Sequence, residues 1–407
     1  MAMAENKEKK VLNVPNLRFP EFQGEWQEER LADIADLSKG IGISKEQLSA
    51  DGEPCILYGE LYTKYKSETI KEVISKTNID NTKLVKSKAN DVIIPCSGET
   101  AEEIATARCV LKDDILLGGD LNIIRLHGYD GSFMSYQLNG KRKYDIAKVA
   151  QGVSVVHLYG EHLKNIKTIN PSLNEQKKIA NLLSLLDERI STQNKIIEDL
   201  KKLKYAISKY LFERKDLFET KIKLSKVAEL KNGYAFQSSK YNALGKWKIL
   251  TIANVAGERY VKTNECNCII EIPYDIQKHQ KLEANDILIS LTGNVGRVSL
   301  CTEGFFLLNQ RVGLLQLKIS ENRELIYQVL SFHKFEKSMI ACAQGAAQMN
   351  ISKGDVENYI LPYSFNKENI NSVASVLKDY DKYIINEINM LSMLHTQKQH
   401  LLRQMFI

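Results

Sequence analysis

What this chain lacks narrows it first. No stretch approaches the roughly 18 uninterrupted apolar residues of a transmembrane helix, so no membrane span is expected. Residues 1–10 are polar and charged and no apolar segment follows, which reads as a disordered tail and not as a secretory signal. There is no cysteine framework. Cys55, Cys96, Cys109, Cys266, Cys268, Cys301 and Cys342 are scattered and odd in number, and only Cys266 and Cys268 lie close together. A lone C-x-C is poor metal spacing, so reduced thiols in a cytoplasmic protein are expected, and no metal site.

Catalytic signatures are missing as well. No G-x-x-x-x-G-K-[ST] phosphate loop occurs, and Gly293-Asn-Val-Gly296 lacks the strand-glycine-helix setting of a dinucleotide fingerprint. Asn170-Pro171-Ser172-Leu173 faintly resembles the Asn-Pro-Pro-aromatic motif of amino-methyltransferases, but the second proline and the aromatic are absent. The seven histidines form no zinc pattern. A chain that performs no covalent chemistry and holds no cofactor of its own is expected.

What is present is a repeat. Its 407 residues leave room for two or three domains, with an ordinary 43% apolar content. Ala89-Asn90-Asp91 and Ala284-Asn285-Asp286 each lead into a short apolar run, as a turn leads into a buried strand. Leu31, Ile34, Leu37 and Gly40 are echoed by Leu224, Val227, Leu230 and Gly233, each set reading as a short helix or the start of a strand, stopped by glycine. Leu121–Leu126 and Val312–Leu317 are strand-like, and Ala150-Gln151-Gly152 and Ala343-Gln344-Gly345 follow them. Echoes half a chain apart and in the same order exclude a solenoid, whose period is tens of residues, and imply two related domains.

Each half closes with a helical pattern. Leu186, Ile190, Gln193, Ile197, Leu200, Lys204, Ile207 and Leu211 alternate spacings of four and three, a heptad seam with two polar interruptions. In the second half Leu377, Ile384, Ile388, Leu391, Leu394, Leu402 and Met405 face one side. At an offset of 194, Leu183/Leu377, Asp187/Asp381, Ile190/Ile384, Leu200/Leu394, Lys204/Lys398 and Phe212/Phe406 coincide. A helix lying on its own domain explains one such stripe. Two stripes of matching length in one chain can cover each other. Only residues 213–220 separate the first helix from the second globule, so the helices are expected to pair antiparallel. About 30 paired residues make a rod of ~45 Å, against ~34 Å per turn of B-DNA.

Polar loops between the strand-like runs carry the binding signal. In the first half these hold Tyr58, Lys64 and Lys66, then Ser97 and Thr100, then Lys141, Arg142 and Lys143, then Gln151. In the second half they hold Tyr234, Phe236 and Lys240, then Thr292, Asn294 and Arg297, then Gln310 and Arg311, then Gln344 and Gln348. Gln, Asn and Arg can make paired contacts to base edges, while Lys, Ser and Thr can hold phosphates. The net charge of +6 agrees with a polyanion partner but is weak support by itself. Ordinary solvated loops remain the alternative for each.

Pro171-Ser-Leu-Asn-Glu-Gln-Lys-Lys-Ile-Ala-Asn-Leu-Leu-Ser-Leu-Leu-Asp-Glu-Arg-Ile190 resembles the central conserved region of specificity subunits of type I restriction-modification enzymes. Asn13-Val-Pro-Asn-Leu-Arg-Phe-Pro20, with Gly24-Glu-Trp26 after it, is similar to the start of such subunits. The second copy departs from the pattern, with Lys367-Glu368-Asn369 where Glu-Gln is expected. The resemblance implies an α+β chain of two mixed α/β target recognition domains joined by two long antiparallel coiled-coil helices, with pseudo-two-fold symmetry. Its parts would be an N-terminal tail (1–25), recognition domains over 26–171 and 220–363, and helices over 172–213 and 366–407. It also implies double-stranded DNA as ligand, each domain reading half of a bipartite site. Two modification (methyltransferase) subunits and two ATP-dependent restriction subunits would be partners, carrying S-adenosylmethionine, ATP and magnesium. A duplicated coiled-coil scaffold that binds only proteins is the rival reading.

Overall fold

A computed structural model describes residues 13–80, 82–152, 155–318, 322–344 and 349–407. Residues 1–10 of the expected tail, Gly345 and Gln348 lie outside them. The chain forms two compact units. One takes the described chain up to Asn194 and then Met390–Ile407, and the other is Lys195–Asn389. Each unit therefore owns one globular domain and a piece of each long helix.

In the first unit a five-stranded sheet runs in the order Ala35–Lys39, Leu121–Leu126, Asp91–Pro95, Arg108–Val110, Thr69–Ile70. A second sheet runs Leu48–Ser49, Ser75–Thr77, Glu53–Ile56, Leu116–Leu117, Val85–Lys86. The other unit repeats the order with one strand fewer per sheet: Ala228–Asn232, Val312–Leu317, Ile287–Ser290, Val298–Leu300, and then Asn267–Ile269, Trp247–Leu250, Phe306–Leu308, Lys281–Leu282. Pair directions agree too, including one parallel pair in each second sheet, Glu53–Ile56 with Leu116–Leu117 and Trp247–Leu250 with Phe306–Leu308. The central strands Asp91–Pro95 and Ile287–Ser290 are buried throughout, which is why their sequences do not alternate.

The Ala-Asn-Asp turns are the same object built twice. Asn90 and Asn285 sit at φ +81° and +68°, the left-handed region that Asn tolerates better than most residues. Each following Asp accepts a 2.8 Å hydrogen bond from the backbone N–H three residues earlier, Lys88 or Glu283. The matched glycines close the same arrangement in both halves: a short helical turn, Leu31–Ile34 or Leu224–Lys226, leads into a strand, Ala35–Lys39 or Ala228–Asn232, and the glycine follows it. A Cβ at Gly40 or Gly233 would collide with the carbonyl oxygen of Gly118 or of Asn309.

Each domain is closed by an antiparallel ribbon, Gln27–Arg30 with Lys167–Asn170 and Thr220–Lys223 with Ile360–Tyr363. A long helix follows each closure, Leu173–Glu213 and Lys367–Gln404. The Glu-Gln of the first helix has a local task. Buried Glu175 grips Arg18 through two 2.8 Å bonds. The Gln176 side chain donates to Pro171 O at 2.8 Å and accepts from Asp130 N–H at 2.9 Å, fixing the helix to its domain. In the second copy Asn369 takes part of that task by donating to the carbonyls of Asp216 and Leu217. The expected N-terminal tail is corrected from residue 13 onward: Leu17 N–H donates to Gln404 O at 2.9 Å and Phe19 packs on the helices, so this segment is part of the domain.

The helices run antiparallel within each unit. In the first, Ile179 and Leu183 share a core with Leu401, Leu402 and Met405, and Phe133 stacks on Phe406 at 5.0 Å. In the second, Ile207, Leu211 and Phe212 share a core with Ile370, Val373 and Leu377. Along the expected seam Leu186, Ile197, Ile384 and Leu394 are buried, while Ile190, Leu200, Ile207, Leu211, Leu391 and Leu402 are partly buried. Ile388 is the exception at 40% exposed: its place on the apolar stripe is corrected to the open side of the helix.

Candidate nucleic-acid interface

Three loops that are far apart in sequence are tied together in the first unit. Cys96 N–H donates to Asp120 O at 2.7 Å, and Ser97 Oγ pairs with Asp120 Oδ2 at 3.2 Å. Strand Ser97–Gly98 pairs with Val156–His157, and His157 exchanges two backbone bonds with Gln151. Ser97, Thr100 and Gln151 thus belong to one loop cluster, with Lys39 lying over the Tyr159 ring at 5.6 Å. Within it Ser97 is turned inward, only 8% exposed, and Thr100 is occupied in accepting from Glu103 N–H as a helix cap. Lys39, Asp120, His157 and Tyr159 escaped the sequence reading, because no local pattern links residues some tens of positions apart.

The second unit places its loops by the same bonds. Leu291 N–H donates to Arg311 O at 3.0 Å, the counterpart of Cys96 to Asp120. Tyr234 N–H donates to Leu308 O, and Gln310 N–H returns to Tyr234 O at 2.9 Å. Gly293 N–H donates to Met349 O, bringing the segment after Gln348 beside Thr292 and Asn294. Tyr234, Thr292, Asn294, Gln310 and Arg311 therefore form one cluster. Phe236 is less available, since it packs on an apolar core, and Tyr234 Oη donates to Asp275 at 2.8 Å. Lys240 and Gln344 are exposed, and Arg297 lies 3.5 Å from Glu336.

The same frame carries opposite charges. Asp120 and Arg311 occupy equivalent backbone positions, one residue before the strands Leu121–Leu126 and Val312–Leu317. The Arg311 guanidinium is exposed and makes no ion pair among the described residues.

The remaining first-half candidates lie elsewhere. Tyr58 packs on a core, and Lys64 is held by Glu60 at 2.6 Å and Ser75 at 2.9 Å. Arg142 pairs with Asp145 at 3.5 Å. Lys66, Lys141 and Lys143 meet in a cleft with residues of the second long helix.

Beneath each domain sits a buried ion network that the sequence echoes did not reveal as such. Lys398 lies 2.6 Å from both Asp187 and Glu68, and Tyr136 Oη donates to Asp187 at 2.7 Å. Burial pushes the Glu68 carboxyl above its usual value, against the pull of Lys398. In the other unit Asp381 receives Lys204 at 2.6 Å, Arg259 at 2.8 Å and the Gln328 amide at 2.7 Å. Arg259 also grips Glu324; burial pulls the guanidinium pKa down, but the bond and charge of Glu324, with Tyr260 and Asp381, together raise it. The aligned pairs Asp187/Asp381 and Lys204/Lys398 are thus partners crosswise: each helix supplies the acid for the other's lysine.

All seven cysteines are free thiols, and among the described residues no cluster of His, Cys, Asp and Glu is arranged to hold a metal. No described helix is long and apolar enough to cross a membrane.

Comparison with known proteins agrees with this duplication. The sequence model of the type I restriction modification DNA specificity domain matches twice, at residues 23–202 and 218–390. The MjaVIII type I restriction enzyme specificity subunit of Methanocaldococcus jannaschii is 27% identical over 406 aligned positions, covering 93% of this chain and 90% of its own length. The crystal structure of a type I restriction-modification S subunit from M. genitalium has the same fold, with TM-score 0.65 and 18% identity over 97% of this chain and 99% of that one. A chain from a solved type I R-M system matches with TM-score 0.53 and 16% identity, over 94% of this chain and 97% of its own. With two domain matches that together span most of its length, the chain belongs to the family of type I restriction-modification specificity subunits.

Proposed function

We propose that each domain reads one half of a bipartite, asymmetric DNA site through its loop cluster. One observation carries this reading: the two clusters hang on the same strand order and the same backbone bonds, yet differ in side chains, down to Asp120 against Arg311. A carboxylate accepts from the cytosine amino group, whereas a guanidinium donates to guanine O6 and N7. One frame with opposite chemistries is what two different half-sites require. The long helices set the gap between the half-sites and dock two modification subunits. The chain itself supplies no catalytic step. S-adenosylmethionine belongs to the modification subunits, and ATP with magnesium to restriction subunits where these join.

Methylation mapping tests this. DNA from cells carrying the chain with its modification subunit should be methylated at one split motif. Arg311→Ala should relax one half of that motif, at a cost of roughly 1–3 kcal/mol in discrimination, and leave the other half unchanged. Methylation without sequence preference, or binding to protein partners with no DNA retention, would instead favour the scaffold reading.

A further inference from the structure

We propose that the cleft where the first domain meets the end of the second long helix is a phosphate seat for the DNA backbone. This rests on the DNA-reading function proposed above and extends it to a place outside the loop clusters. The cleft holds about 490 Å³ and is lined by Lys66, Arg108, Lys141, Lys143 and Arg403, with Glu68 as the lone carboxylate. That carboxylate is already engaged by Lys398 at 2.6 Å. None of the five cations forms an ion pair among the described residues.

Arg108 is the strongest sign. It is only 8% exposed, and its guanidinium donates to the carbonyls of Leu61 at 3.1 Å and Tyr65 at 3.0 Å. Burial lowers its pKa, against the pull of the nearby Glu68 and Asp187 carboxylates, neither of which forms an ion pair with it. A buried charge is costly until an anion pairs with it. Lys66, Lys141 and Lys143 on long stems, with exposed Arg403 opposite, surround the same space.

Five cations beside one carboxylate that Lys398 already holds call for more than one anion. Duplex DNA offers one negative charge per ~1.7 Å of axis, and a base-reading domain needs backbone contacts to fix its register. A single acidic side chain of a protein partner would leave most of the charge unmet. The cleft therefore adds affinity and placement, not sequence preference.

The test uses the full chain assembled with its modification subunits. Lys141→Gln, Lys143→Gln and Arg403→Gln, singly and together, change surface side chains outside both ion networks. Binding to target and to scrambled duplex is measured across a salt series. The triple variant is expected to weaken both at least roughly tenfold at 0.1 M salt, and to flatten the log–log salt slope by about 0.9 per lost contact. The target-to-scrambled ratio should be kept. Unchanged affinity and slope would overturn the seat. So would loss of assembly with the modification subunits while the assembled fraction binds DNA normally, which would assign the cleft to an acidic protein surface. Failure of the DNA-reading function is distinct: the unmodified complex would then show no preference for any sequence.

Discussion

Glu68 shows how a residue in the frame differs from a residue in a loop. It sits in a buried triad with Lys398 and Asp187, and burial raises its carboxyl pKa above the ordinary 4.5. An acid with a raised folded pKa binds its proton more tightly folded than unfolded. Its contribution to stability is therefore full below pH 4.5 and is lost as pH rises through the folded value. Glu68→Gln should remove that loss. Chemical denaturation at pH 4 and pH 7 should show the difference between variant and parent shifting toward the variant at the higher pH; a pH-independent difference would contradict the assignment. By contrast, Asp120 and Arg311 gain meaning from position alone, because the same backbone bond holds each of them.

At the scale of elements, the crosswise ion pairs explain one of the two polar positions that interrupt the seam, Lys204. A purely apolar stripe tolerates sliding by a heptad, whereas a buried lysine must find its acid. Lys398 has partners on the first helix and in the first domain, and Lys204 has its partner on the second helix. Lys398→Met alone should cost about 3–5 kcal/mol, because Asp187 and Glu68 are left buried and unpaired. Adding Asp187→Asn and Glu68→Gln should recover much of it. Denaturation midpoints of the single and triple variants check this, and equal loss in both would mean the lysine acts through packing alone.

For the whole molecule, the helices of 41 and 38 residues carry the proposed ruler. Four residues inserted in the first helix alone should mismatch the paired faces and lower stability. Four inserted in both should lengthen the pair by ~6 Å and widen the preferred gap between half-sites, read by methylation mapping. A folded double insertion with an unchanged gap would contradict the ruler. The duplication, the helices, their apolar faces and the family were legible in the sequence, because turns, periodicity and motif spacing are local and recur along the chain. Even the left-handed turns at Asn90 and Asn285 were marked by residue type. What the tertiary structure alone decided was company. It turned Ser97 inward, left Ile388 outside, joined Ser97 to Asp120 and Gln151, and drew Lys66, Arg108, Lys141 and Arg403 into one cleft. Such groupings depend on strand order and on helices packing across hundreds of residues. No local pattern encodes them, since the contacts are made only when the separate elements fold against one another.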